Sequence, residues 1–249
     1  MNKSRLSPMA RLRKITYAIY AWIIFFICSL SSVFCCLLIP GLLNRQKSVT
    51  ICARAIFVLT SVRVSVHGLH KIPGSSCIVV ANHASYLDGI LLKAYLPARF
   101  SYVIKEEMQR VPIASFLLKR VGSKFVERFN PSGSARDMRH LLKVAKKGES
   151  LAFFPEGTFT LEPGLQKFRA GAFAAAISAG APTIPLVISG TRQILPANTL
   201  LPRYGHLRID ILDPIEQSDL SYSNARDLAN LARSKILHVL EEPDLLNKT

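Results

Sequence analysis

The stretch CIVVANHASYLDGILL, residues 77–92, decides the fold. Its first five residues are apolar and read as a buried strand, and the strand ends at Asn82-His83 just before a helical run opens near Ser85. An imidazole at a strand end is well placed for catalysis. On one continuous helix His83 and Asp88 would diverge by about 140°, but with His83 in the turn the two side chains can meet. The carboxylate would then fix the ring tautomer and stabilise the imidazolium as His83 takes a proton. A hydrogen-bonded core pair is the bland alternative.

Working outward, the same alternation continues. Residues 62–66, 150–154, 183–188 and 207–212 read as further strands, and 86–96, 113–120, 134–147, 171–179 and 224–242 as helices. Such alternation implies an α/β sheet layered with helices. Residues 131–133 and 195–198 read as loops. Hydrophobic residues make up 49% of the 249 and charged residues 19%, which excludes both a disordered polar chain and a disulfide-stapled miniature. The cysteines Cys28, Cys35, Cys36, Cys52 and Cys77 show no ligand spacing with histidines, so they read as small buried hydrophobes with no metal site.

Lys and Arg number 32 against 16 Asp and Glu, a net charge of +16 that calls for an anionic partner. Its position narrows the choice. Lys3, Arg5, Arg11, Arg13 and Lys14 precede a 25-residue uncharged run, 15–39, and Arg45, Lys47, Arg54 and Arg63 follow it, with no acidic residue before Asp88. The run is long enough to cross a bilayer and exceeds a typical signal-peptide core. With basic flanks on both sides, a single span and a hairpin dipping into one leaflet both fit. In the hairpin version residues 49–62 lie in the interface with Arg54 at the head groups. Buried core helices of a soluble protein are the remaining reading. The chain thus divides into a membrane-anchoring helical region, 1–62, and a catalytic domain, 63–249.

Asn82-His83-Ala84-Ser85-Tyr86-Leu87-Asp88 reproduces an N-H-x-x-x-x-D pattern. YVIKEEMQRVPIASFLLKRVGSKFVERFN with Lys105 and Arg128, FPEGT at 154–158, and Ile184-Pro185-Leu186 follow in order. Across roughly residues 60–215 the chain resembles the 1-acylglycerol-3-phosphate acyltransferase family of glycerolipid acyltransferases. The resemblance implies a mixed central sheet flanked by helices and transfer of a fatty acyl group from acyl-CoA or acyl-carrier protein to the 2-hydroxyl of a lysophospholipid. It makes His83 the general base and Asp88 its orienting partner, with no cofactor beyond the donor. Asn82, Lys105, Arg128, Glu156, Gly157 and Thr158 would serve substrate binding, Arg128 and Lys105 through the acceptor phosphate.

Localisation would be the inner or cytoplasmic membrane, with the site on the cytoplasmic side. The family commonly has Arg after F-P-E-G-T, where this chain has Phe159, a departure that leaves another lysolipid acceptor open; Lys167 and Arg169 are candidate substitutes. No serine nucleophile is needed, since G-x-S-x-G is absent although Ser85 lies close by. Backbone N–H groups after His83 are candidate oxyanion donors. Competing readings are a thioesterase or lipase and a membrane-tethered basic binding protein. No nucleic-acid module is recognisable.

Overall fold

The computed structural model describes residues 7–127, 131–218 and 222–246. Two helices lead, α1 (Pro8–Leu38) and α2 (Leu42–Leu59). The order then runs β1 (Arg63–His67), β2 (Ile78–Ala81), α3 (Leu87–Tyr95), β3 (Ser101–Lys105), α4 (Pro112–Arg120), β4 (Lys124–Val126), α5 (Pro131–Lys146) and β5 (Leu151–Phe153). It finishes with α6 (Gly171–Ala179), β6 (Thr183–Ser189), α7 (Thr191–Ile194), β7 (His206–Ile211) and α8 (Ala225–Val239).

Ser7 caps α1 by accepting the Ala10 N–H at 3.3 Å, and Pro8 fills a first-turn position where its missing N–H costs nothing. The helix stops before Pro40, and Gly41, at φ +80°, turns the chain into α2. The two helices pack antiparallel: the Tyr17 and Tyr20 hydroxyls near the start of α1 donate to Thr60 O (3.2 Å) and Leu59 O (2.7 Å) at the end of α2. Ala18, Ala21, Cys28, Ser32 and Cys36 of α1 are buried, while Ile19, Ile23, Phe26, Leu30 and Phe34 stand exposed. Among the described residues, α1 is the one helix long and apolar enough to cross a membrane.

Arg54 is exposed and also engaged: its guanidinium donates twice to Ala94 O (2.9 and 3.2 Å) at the end of α3 and stacks 5.3 Å from the centre of the Tyr95 ring. The last carbonyls of a helix lack intrahelical partners, and a cationic fork satisfies one of them. Ala53 and Phe57 of α2 enter the same apolar cluster as Leu91 and Leu92 of α3. The hairpin is therefore built onto the sheet domain.

Among the described residues seven strands are ordered β1-β7-β6-β2-β5-β3-β4, all neighbours parallel except β6 and β7. The sheet is mixed, as the family resemblance implies. Ile78 and Val80 point into one cluster, with α5, α6 and α8, whereas Val79 and Ala81 point into the other, with α2 and α3. That alternation is the period-two geometry of a strand covered on both faces.

The strand β3 is absent from the sequence reading, because SYVIK runs straight into Glu106-Glu107, whereas the β-like run before Arg128 stands as the three-residue edge strand β4. Residues 131–133, expected as a loop, open α5 instead, since a proline at the first helical position already has the required φ.

Candidate active site

The chain leaves β2 toward one side of the sheet and β5 toward the other, and the two strands are neighbours. In open α/β sheets the crevice beyond the carboxyl ends at such a switch point is where ligands bind. β2 leads into Asn82-His83 and β5 into Phe154-Pro155-Glu156, so residues 73 positions apart in the chain meet at one edge.

His83 lies in the turn before α3, and its Nδ1 is 2.8 Å from Asp88 Oδ2. The same oxygen accepts the N–H groups of Ala84 (2.6 Å) and Ser85 (2.8 Å). Asp88 is fully buried in the first turn of α3, where the helix dipole favours a carboxylate. Because Oδ2 can only accept in this company, Nδ1 carries the proton and the Nε2 lone pair is left for chemistry. Among the described residues Nε2 has no hydrogen-bond partner. The two N–H groups read as oxyanion donors are in fact directed at Asp88. Ser85 is no nucleophile either, since its buried hydroxyl donates to Leu195 O at 2.7 Å.

Glu156 is buried and uses both oxygens on backbone: Oε1 accepts the His83 N–H at 2.6 Å and Oε2 the Gln166 N–H at 2.9 Å. Burial pushes its carboxyl up to about 7, against the lowering effect of those two bonds. Its contacts are those of a group that positions the His83 backbone. Asn82 likewise forms a two-point bridge, donating to Ile188 O (2.9 Å) and accepting Ile188 N–H (2.7 Å), which ties the end of β2 to β6. Gly157 has φ +84°, and a Cβ there would come within 3.0 Å of Arg169 Nε. Thr158 is exposed, and its carbonyl accepts from Gln166 Nε2 at 3.1 Å.

A profile of the family described as Acyltransferase matches residues 63–189. The chain belongs to the acyltransferase family. Its relatives include the 1-acyl-sn-glycerol-3-phosphate acyltransferase of Haemophilus influenzae, 32% identical over 70% of this chain and 75% of that one. The chloroplastic enzyme of that name from Arabidopsis thaliana is 30% identical over 72% of this chain and 49% of its own. The chain thus spans about half the length of the chloroplast relatives it matches. The fold matches the crystal structure of the 1-acyl-sn-glycerophosphate acyltransferase PlsC of Thermotoga maritima, with a TM-score of 0.77, 21% identity and coverage of 92% and 95% of the two chains.

In this acyltransferase the departure at Phe159 has a clear placement. Its ring meets His83 edge-on at 4.6 Å and Tyr86 at 4.8 Å, while Phe154 stacks on the imidazole at 4.2 Å. A cation is replaced by an aromatic wall around the histidine, which sequence spacing alone gives no sign of. Lys105 ends β3, exposed on the same sheet edge, two strands from β2 and so about 10 Å to the side. Arg128 lies outside the described residues.

Sequence reasoning also missed the clasp on the loop that carries this motif. The C-terminal segment holds that loop: Glu242 accepts from Gly164 N–H (2.8 Å) and Arg192 Nε (3.1 Å), and Arg233, paired with Asp244, donates to Gln166 O at 2.9 Å. Nothing local in the sequence marks these residues, because the partners are brought together only by α7 and α8. Among the described residues no three His, Cys, Asp or Glu side chains gather as a metal site.

Proposed function

We propose that this acyltransferase moves a fatty acyl group from a thioester, acyl-CoA or acyl-carrier protein, to the 2-hydroxyl of 1-acylglycerol-3-phosphate, giving phosphatidic acid. The observation that carries the reading is the Asp88–His83 pair with its forced tautomer at the carboxyl edge of the sheet. His83 Nε2 takes the hydroxyl proton as the oxygen attacks the thioester carbonyl. The tetrahedral intermediate then expels the thiolate, which recovers that proton from Nε2. Positioned proton transfer of this kind contributes roughly 10² to 10⁴ in rate. Asp88 stabilises the transient imidazolium. Glu156 and Asn82 hold the backbone around His83, and Gly157 keeps the turn close.

Lys105, with Arg128 and Thr158, is assigned to the acceptor head group. The exposed apolar face of α1 seats the enzyme in the inner or cytoplasmic membrane with the site facing the cytoplasm, so that a long-chain acceptor is reached without being extracted at about 0.8 kcal/mol per methylene.

Phe159 favours a second reading, in which the acceptor is a lysolipid lacking the phosphate at that position. The test is a product assay by mass with the purified protein, both thioesters and a panel of lysolipids. Phosphatidic acid as the main product supports the first reading. A different diacyl product selects the second, and free fatty acid alone overturns both in favour of a hydrolase.

A further inference from the structure

Helix α5 carries a stripe of cations that the acyl-transfer site leaves unused. Arg136, Arg139, Lys143 and Lys146, with Lys147 just beyond the helix end, are all exposed, and Leu141, Val144 and Ala145 are buried on the opposite side. At 100° per residue the five cations fall within an arc of about 100°, and they extend about 16 Å along the axis. Arg136 lies 3.7 Å from Asp137, while Arg139, Lys143, Lys146 and Lys147 have no ion-pair partner among the described residues.

Lipid does not account for the stripe. α5 packs on the sheet face that holds α6 and α8, whereas the apolar hairpin packs on the other face, with α3. The cations therefore face away from the surface that the hairpin would seat in a membrane. A nucleotide does not account for it either, since an extended row of point charges along a helix exceeds the footprint of one small ligand.

α5 also leads directly into β5, so its first turn lies toward the carboxyl edge of the sheet, the edge that carries His83, and the stripe runs back from there toward the amino edge. We propose that α5 is the docking surface for a small acidic protein that carries the acyl thioester on a flexible prosthetic arm, the carrier-protein form of the donor. The proposal rests on the acyl-transfer reading and chooses between its two donors. The helix holds the carrier's acidic face while the arm reaches the site, and complementary charge speeds the encounter.

The test is a charge-reversal variant, Arg139→Glu/Lys143→Glu/Lys146→Glu, assayed with acyl-carrier protein and acyl-CoA as alternative donors to the same lysolipid. The KM for the carrier-bound thioester is expected to rise at least tenfold, with kcat and the KM for acyl-CoA unchanged. Electrostatic steering contributes tenfold or more to association in favourable cases. A thermal melt checks the fold, and the salt dependence of the parent's carrier KM, steeper than that of the variant, is a second readout on intact protein.

Equal changes for both donors, or no change for either, would overturn the docking assignment while leaving acyl transfer intact. So would weakened binding to phosphatidylglycerol vesicles with carrier kinetics unaltered, which would make the stripe a lipid contact. Failure of the parent to use the carrier-bound donor while using acyl-CoA refutes the proposal alone. Failure with both donors refutes the acyl-transfer reading beneath it.

Discussion

Replacing Asp88 by Asn separates geometry from charge at His83, the proposed general base. In a free His–Asp pair the amide can flip and impose the wrong tautomer. Here the Ala84 and Ser85 N–H groups both aim at Oδ2, at 2.6 and 2.8 Å, so the amide oxygen of Asn is pinned there and the nitrogen goes to the Oδ1 position. Nδ1 stays protonated and Nε2 keeps its lone pair. Two losses remain. The imidazolium formed during the reaction loses a charged partner, and hydrogen bonds to charged groups contribute about 1.5–3 kcal/mol, so kcat should fall roughly 10- to 150-fold with KM little changed. The Oδ1 position, buried and without a hydrogen-bond donor in the parent, receives the new amide N–H₂, and a buried donor left unsatisfied costs about 1–3 kcal/mol of stability.

Asp88→Ala would instead strip the acceptor from two backbone N–H groups and should be the less stable protein. The assay is steady-state transfer on a short-chain soluble acceptor beside a thermal melt, with His83→Ala as the inactive reference. If Asp88→Asn were as dead as His83→Ala while fully folded, the pinned-tautomer argument would be refuted. Unchanged kcat would refute the role of the pair altogether.

Two further outcomes follow from the same geometry. Burial holds the Glu156 carboxyl at about 7 in the folded state against an ordinary value of 4.5, so the native state binds the extra proton between those values and stability should fall as pH rises through that window, by about 3 kcal/mol at the upper end. Subtracting the Glu156→Gln melt profile from that of the parent should isolate this slope, and a flat difference would place the ionised form in the native state throughout. On α1, Phe26→Glu/Phe34→Glu introduces charge at residues 62% and 63% exposed, and removing each aromatic contact with the bilayer should weaken vesicle co-sedimentation roughly 10-fold or more, with turnover of a soluble analogue preserved. Undiminished vesicle binding would show that this face does not enter the membrane.

Much of the fold is legible in local pattern. The buried run at 77–81, the apolar periodicity of 171–179 and the uncharged length of 15–39 each announce an element through side chains a few positions apart, and each stands where expected. The His83–Asp88 pair is legible for the same reason, since five residues and one turn suffice to join them. Other features belong to the tertiary structure. The Glu156 carboxylate meets the His83 N–H only because β5 inserts between β2 and β3, and no spacing along the chain encodes strand order. The bond from Arg54 to the Ala94 carbonyl exists only because α2 packs against α3. Phe159 reads as a missing cation until its ring is found against His83. Short-range chemistry sets which residue types can react. The pairing of distant strands and helices sets what those residues face, because burial and hydrogen-bond partners are properties of the assembled sheet and not of the chain.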